Sequence, residues 1–260
     1  MSISDDKWII TPDPRPDARL RLLCFHHAGG GAFGFRSWTR LLHPDVELMA
    51  VQLPGRENRH AEAPISEAAT ILDALVQALR TRQDKPLALF GHSLGAVLAY
   101  LLARRIQNDG EFGPPIHLFV SASAAPRFES DDDAYELDRL PALSDKAVIK
   151  QIERLGGTPP EALGDGRLMQ ALVPTLRADM ELIRRVRIPP GDLLQTALTI
   201  LGGRDDRLAP RRDLETWREL TTHHAQLRLL PGGHFYSQTA LPALVAIINA
   251  ELAQGRERSD

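Results

Sequence analysis

One stretch, "LALFGHSLGAVLAY" (Leu87–Tyr100), constrains this chain more than any other. It sets Ser93 between Gly91 and Gly95, where one apolar run ends and a second, helix-spaced run begins. A solvent loop has no need of that arrangement. A strand that turns sharply into a helix does, because flanking glycines remove side chains that would collide in the turn. Gly91-His92-Ser93-Leu94-Gly95 is thus a G-x-S-x-G elbow, which lifts the Ser93 hydroxyl clear of the sheet edge. It also brings Ser93 to a helix N-terminus, where unpaired N–H groups can receive developing negative charge. The plainer reading of the five residues is a tight turn with a helix-capping serine. The strand before and the helix after favour the elbow.

Such an elbow needs a parallel sheet around it. "RLRLLCF" (Arg19–Phe25), "VELMAVQL" (Val46–Leu53), "PLALF", "IHLFVSA", "TALTILGG" (Thr196–Gly203) and "AQLRLL" read as strands, several of them wholly apolar. Between them, "SWTRLL" has helical spacing. "SEAATILDALVQALRTR" is an amphipathic helix with Ile71, Leu72, Leu75, Val76 and Leu79 on one face. Further helices are expected over Ala96–Gln107, Arg211–Leu220 and Leu241–Ala253. The rhythm breaks only from Arg127 to Arg187, where helical periodicities are cut by Gly156-Gly157 and Pro159-Pro160. The expected fold class is α/β: a mostly parallel sheet flanked by helices, one domain over 1–260 with a helical lid at 127–187 inserted in it. Leu168, Met169, Leu172, Leu176 and Met180 of the lid are candidates to line a channel, although most should pack the insertion onto the core.

A serine hydroxyl needs a neighbouring base, and in a fold of this kind the order along the chain is Ser, acid, His. His234 in "LLPGGHFY" lies just past the last strand, where such a base belongs. His223 and His224 precede that strand and should face solvent, and His92 should pack away from the Ser93 hydroxyl. The acid should follow "TALTIL", where Asp205 and Asp206 stand side by side. The spacing Gly203-x-x-Asp206 favours Asp206, with Asp205 as a loop-shaping neighbour. The backbone amides of Leu94 and Ala28 are the expected oxyanion donors, Ala28 coming from the glycine-rich "HHAGGG". His26 and His27 in that loop are rim candidates. Adjacent histidines point apart and no H-x-x-x-H spacing accompanies them, so no metal is expected. The glycines do not form a phosphate cradle with a following lysine, and no cofactor is expected.

Charge excludes other classes. The 31 lysines and arginines against 34 aspartates and glutamates leave a net charge of −3, which suits neither nucleic acid nor an anionic membrane. A single cysteine, Cys24, rules out an internal disulfide. The start "MSISDDKWIITPDPRPD" lacks the basic end and apolar core of a signal peptide, and no apolar run of about 18 residues occurs. A cytoplasmic monomer is the expectation.

Several stretches, in order from Leu22 to Phe235, resemble one family: the discrete type II thioesterases of polyketide synthase and nonribosomal peptide synthetase systems, in the α/β-hydrolase superfamily. They are "FHHAGGGAFGFRSW", "VQLPGREN", "FGHSLGAVLAY", "LGGTP", "LRADMEL", "GGRDDRLAPRRDLETW" and "LPGGHFY". The elbow alone would point only to the superfamily; "LPGRE" with "LRAD" is far more specific. The resemblance implies hydrolysis of acyl groups from the phosphopantetheine arm of acyl or peptidyl carrier proteins, with Ser93 as nucleophile, Asp206 as acid, His234 as base, and Ala28 and Leu94 as oxyanion amides. His26 stands where the family commonly has proline, which implies a more adjustable rim, and Ala209 stands where valine is common. Arg204, Arg207, Arg211 and Arg212, around the acid, are candidates for carrier docking. Three other activities stay open on sequence alone. They are a carboxylesterase or acyl-CoA thioesterase, an acyltransferase or cyclase, and a silent hydrolase-fold binding module.

Overall fold

The computed structural model describes residues 7–126, 144–155, 166–188, 191 and 193–257. Seven strands form one sheet: β1 (Ile9–Ile10), β2 (Leu20–Phe25), β3 (Val46–Val51), β4 (Leu87–His92), β5 (His117–Ser121), β6 (Leu198–Gly203) and β7 (Ala225–Leu230). Their spatial order is β1-β3-β2-β4-β5-β6-β7. All neighbours are parallel except β1, which pairs antiparallel with β3. The helices are α1 (Ala68–Leu79), α2 (Leu94–Asp109), α3 (Asp145–Leu155), α4 (Gly166–Arg185), α5 (Arg211–Glu215), α6 (Tyr236–Thr239) and α7 (Leu241–Glu257). This is the α/β-hydrolase architecture.

The strands read as apolar runs because both faces of the sheet are covered. Along β2 the pleat sends Leu23 and Phe25 to one face, with Ile71 and Leu75 of α1, Leu98 and Leu102 of α2, and Trp217. Leu22 and Cys24 go to the other face, with Phe35, Trp38 and the α7 residues Leu244 and Ile248. The expected apolar face of α1 is the buried one, with Ile71, Leu75, Val76 and Leu79 inside.

Several boundaries differ from the sequence reading. The "SWTRLL" helix is a 3₁₀ segment that starts earlier, at Ala32, and ends at Arg40. Its buried residues Ala32, Phe35 and Trp38 recur every third position, the period of that helix. α2 begins at Leu94 rather than Ala96, since Gly95, a poor helix former, is required inside its first turn for packing. Arg211–Leu220 is α-helical only to Glu215 and 3₁₀ over Thr216–Leu220. β3 stops at Val51, β6 starts at Leu198, and α7 runs on to Glu257. β1 carries no readable alternation because it is two residues long; it forms by pairing with β3.

Between β5 and β6, the described residues from 144 to 187 contain α3 and α4 and no strand. Leu182 and Val186, near the end of α4, join the core under the sheet. Met169, Val173 and Leu176 are buried too, whereas Leu172 and Met180 are half-buried. The side chain of Leu168 and the breaks at Gly156-Gly157 and Pro159-Pro160 lie outside the described residues. Among the described residues, no helix is long and apolar enough to cross a membrane.

Candidate active site

Four segments leave the carboxyl ends of parallel strands on one edge of the sheet: 26–31 after β2, Ser93 after β4, 204–209 after β6 and 231–235 after β7. In open parallel sheets this edge is where ligands bind. Ser93 itself holds φ +55° and ψ −119°, outside the regions an L-residue prefers. That conformation costs about 1–3 kcal/mol and persists because its surroundings enforce it. The Ser93 amide donates to the Ser121 carbonyl of β5 at 2.7 Å. Gly95 lets α2 come down on the end of β2, for a Cβ there would stand 2.3 Å from the Phe25 carbonyl oxygen.

His234 Nε2 lies 3.2 Å from Ser93 Oγ, and His234 Nδ1 lies 2.9 Å from Asp206 Oδ2. A carboxylate only accepts, so Nδ1 carries the proton and Nε2 turns its lone pair to the serine hydroxyl. Asp206 is buried, and its Oδ1 accepts from the Leu208 and Ala209 amides at 2.8 and 3.2 Å. Burial alone would raise its pKa. The His234 hydrogen bond and charge, with those two amides, outweigh burial and hold the carboxyl below the usual carboxylate value. The Asp205 side chain is exposed instead, and its amide donates to the Gly232 carbonyl at 2.9 Å. Gly203 makes the approach of these two loops possible, since a Cβ on it would stand 2.3 Å from the Gly233 carbonyl oxygen.

The Ala28 and Leu94 amides have no hydrogen-bond partner among the described residues. The 26–31 loop that presents Ala28 is tied by its own histidines. His26 Nδ1 donates to the His27 carbonyl at 2.8 Å, and His27 Nδ1 to the Ala28 carbonyl at 2.9 Å. His26 is therefore not a rim residue and does not loosen the loop. It is 4% exposed, and burial together with the Arg56 charge pushes its pKa well down, so it stays neutral. His27 is half-buried and packs edge-on against Phe235, ring centres 4.9 Å apart. Replacing a proline by a histidine substitutes a side-chain tie for a ring constraint.

His92 turns away from Ser93 Oγ. Its Nδ1 lies 2.8 Å from Ser121 Oγ, which lies 2.7 Å from the Tyr236 hydroxyl. Burial, then the neighbouring His234 and His27, drives its pKa well below the usual value, so no second positive charge competes with His234. Ser121 lies in no motif, and Tyr236 was visible only as the last residue of "LPGGHFY". Arg56 and Asp179 were visible only as parts of "LPGRE" and "LRAD", and they meet here as a buried ion pair at 2.8 Å. His223 and His224 are exposed, as expected. Arg204, Arg207, Arg211 and Arg212 are exposed as well, but Arg211 pairs with Glu215 and Arg212 with Asp213.

The chain matches the family model described as "Thioesterase domain" over residues 20–252. It is 34% identical over 231 residues to the gramicidin S biosynthesis protein GrsT of Aneurinibacillus migulanus, covering 89% of this chain and 88% of that one. It is 34% identical to the thioesterase PikA5 of Streptomyces venezuelae over 91% of this chain and 82% of PikA5. The solved structure of BorB, a type II thioesterase from the borrelidin biosynthetic cluster, superposes with a TM-score of 0.84 at 32% identity, covering 96% of this chain and all (100%) of BorB. With the serine elbow and the acid–histidine pair on one sheet edge, this chain belongs to the type II thioesterases of polyketide and nonribosomal peptide synthase systems, within the α/β-hydrolase superfamily.

Proposed function

We propose that this protein hydrolyses acyl groups from the phosphopantetheine arm of carrier proteins, through an acyl-Ser93 intermediate, and so clears stalled units from a synthase. The observation that carries this reading is the continuous line Ser93 Oγ, His234, Asp206, with contacts of 3.2 and 2.9 Å.

Ser93 Oγ attacks the thioester carbonyl carbon as its proton passes to His234 Nε2. Asp206 holds the ring and stabilises the imidazolium without taking the proton. The carbonyl oxygen becomes an anion held by the Ala28 and Leu94 amides. The C–S bond then breaks, and the proton on Nε2 goes to the departing thiolate. Water attacks the acyl-serine, gives its proton to Nε2, and Ser93 leaves with that proton as the free acid is released. In this reading residues 127–187 act as a lid on one hydrolase domain spanning the chain, with the half-buried Leu172 and Met180 offered to the acyl chain.

The test is turnover of an acyl-carrier protein, an acyl-CoA and an oxygen ester by the wild type and by Ser93→Ala, with fluorophosphonate labelling alongside. The reading expects the carrier substrate to be preferred and Ser93→Ala to lose both turnover and label. Near-normal turnover by Ser93→Ala would overturn the mechanism. A preference for acyl-CoA or the oxygen ester would overturn the substrate assignment.

A further inference from the structure

Arg56 and Asp179 take no part in the chemistry above, yet they are among the most completely buried charged groups in the protein, at 4% and 0% exposure. Arg56 lies in the turn after β3, and Asp179 is on α4, in the helical insertion. Arg56 Nη1 donates to Asp179 Oδ2 at 2.8 Å and Nη2 to Oδ1 at 2.9 Å, a two-pronged pair. Oδ2 also accepts the Gly29 amide at 2.7 Å, across 150 positions of sequence. Arg56 Nη1 donates in addition to the Gly30 carbonyl at 3.3 Å. One turn earlier on α4, Thr175 Oγ1 donates to the Gly55 carbonyl at 2.7 Å. Leu176 closes the remaining side, since a Cβ on Gly29, at φ +75°, would stand 2.6 Å from its Cδ2.

These contacts bear on the orientation of the Ala28 N–H. In a trans peptide the N–H points opposite to the preceding C=O. The His27 carbonyl is fixed by His26 Nδ1 at 2.8 Å and by the Gly30 amide at 3.0 Å, which leaves the Ala28 N–H directed the other way and unbonded. The next peptide is fixed at both ends, its carbonyl by His27 Nδ1 and its N–H by Asp179. Three of these four ties come from residues 26–30 themselves and would move with the loop. Of these four, the bond from Asp179 alone reaches in from outside the loop, and Arg56 adds a second outside tie one residue further on, at the Gly30 carbonyl.

We propose that Asp179, held by Arg56, is a positioning residue for the Ala28 oxyanion amide, so that the inserted helix α4 sets part of the transition-state site. This rests on the acyl-serine reading above. A neutral acceptor would hold the Gly29 amide less firmly than a carboxylate does. Arg56 supplies the counter-charge without which a buried carboxylate is costly.

The experiment compares the wild type with Asp179→Asn, Asp179→Ala, the double variant Arg56→Met with Asp179→Leu, and Thr175→Val. Each is assayed for kcat and KM on an acyl-cysteamine thioester. Each is also assayed for binding of a trifluoromethyl ketone, whose Ser93 adduct carries an oxyanion. Asp179→Ala should lower kcat by on the order of 10²-fold with little change in KM, as loss of one oxyanion donor does, and should weaken ketone binding in parallel. Asp179→Asn, which keeps an acceptor, should recover most of that loss. The double variant removes both buried charges and should keep the thermal midpoint, yet show the kcat loss. Thr175→Val, which loosens α4 from Gly55 alone, should stay close to wild type. A double variant with wild-type kcat, or losses confined to KM with ketone affinity intact, would overturn the proposal while leaving the acyl-serine reading standing. A wild type that neither turns over the thioester nor binds the ketone would overturn both.

Discussion

Gly91 lies directly against Gly95: a Cβ on Gly91 would stand 2.0 Å from the Gly95 carbonyl oxygen and 2.5 Å from the Ala96 nitrogen. Both neighbours are backbone at the start of α2, so no side chain can swing aside. Ser93, between them, holds a positive φ of 55°. Gly91→Ala should therefore cost about 3 kcal/mol or more, at the upper end of core overpacking, and should abolish turnover by displacing the elbow. Denaturant unfolding and a thioester assay measure the two effects; wild-type values in both would contradict this account of the turn.

Asp206→Asn should lower kcat by on the order of 10³–10⁴-fold, because an amide can present its NH₂ to Nδ1 and favour the wrong imidazole tautomer. Asp205→Asn should leave kcat nearly unchanged, as its side chain is exposed and the hydrogen bond from its backbone N–H to the Gly232 carbonyl is kept. The reverse ranking would place the acid one residue earlier.

His117 offers a pH test away from the site. It is buried on β5 with Nε2 2.8 Å from Thr199 Oγ1. Burial first, then the nearby His224, lowers its pKa from 6.5 to about 4. A base depressed in the folded state gives full stability above its unfolded value. That stability is lost as pH falls from there toward the folded value. His117 should thus account for up to about 3 kcal/mol of stability lost between pH 7 and pH 4. His117→Gln, which does not titrate, should flatten the stability profile over that range. An unchanged profile would show that His117 ionises as freely in the fold as out of it.

Arg204 and Arg207 remain exposed beside the acid loop, whereas Arg211 and Arg212 are engaged with Glu215 and Asp213. If the first two guide an acidic carrier protein, Arg204→Glu with Arg207→Glu should raise KM for acyl-carrier protein by roughly 3–10-fold at low salt. The effect should fade as salt screens it. KM for an acyl-cysteamine should not move. Equal effects on both substrates would assign these arginines to local structure.

Much of the fold was readable because its signals are local. The elbow glycines, the apolar runs of β2 to β6 and the amphipathic pattern of α1 each follow from steric or burial rules acting within a few residues. The order Ser93, Asp206, His234 was readable for the same reason, each residue sitting just past a recognisable strand. The choice between Asp205 and Asp206 rested on spacing; which carboxylate turns inward depends on the Gly203 and Gly233 loops packing backbone to backbone.

What the sequence by itself determined is where the six parallel strands lie, with ends placed to within two residues, and what stands just beyond them, since strand and turn propensities act over a few neighbouring bonds. Only the tertiary structure decided what those ends do to one another. It showed His26 pinning the loop that it was expected to loosen, His92 bound to Ser121 and Tyr236, and Arg56 meeting Asp179 across 123 positions to reach Gly29. Such contacts depend on distances that arise only when remote segments are folded against each other, and a buried charge pair is set by its desolvated surroundings rather than by its neighbours in the chain.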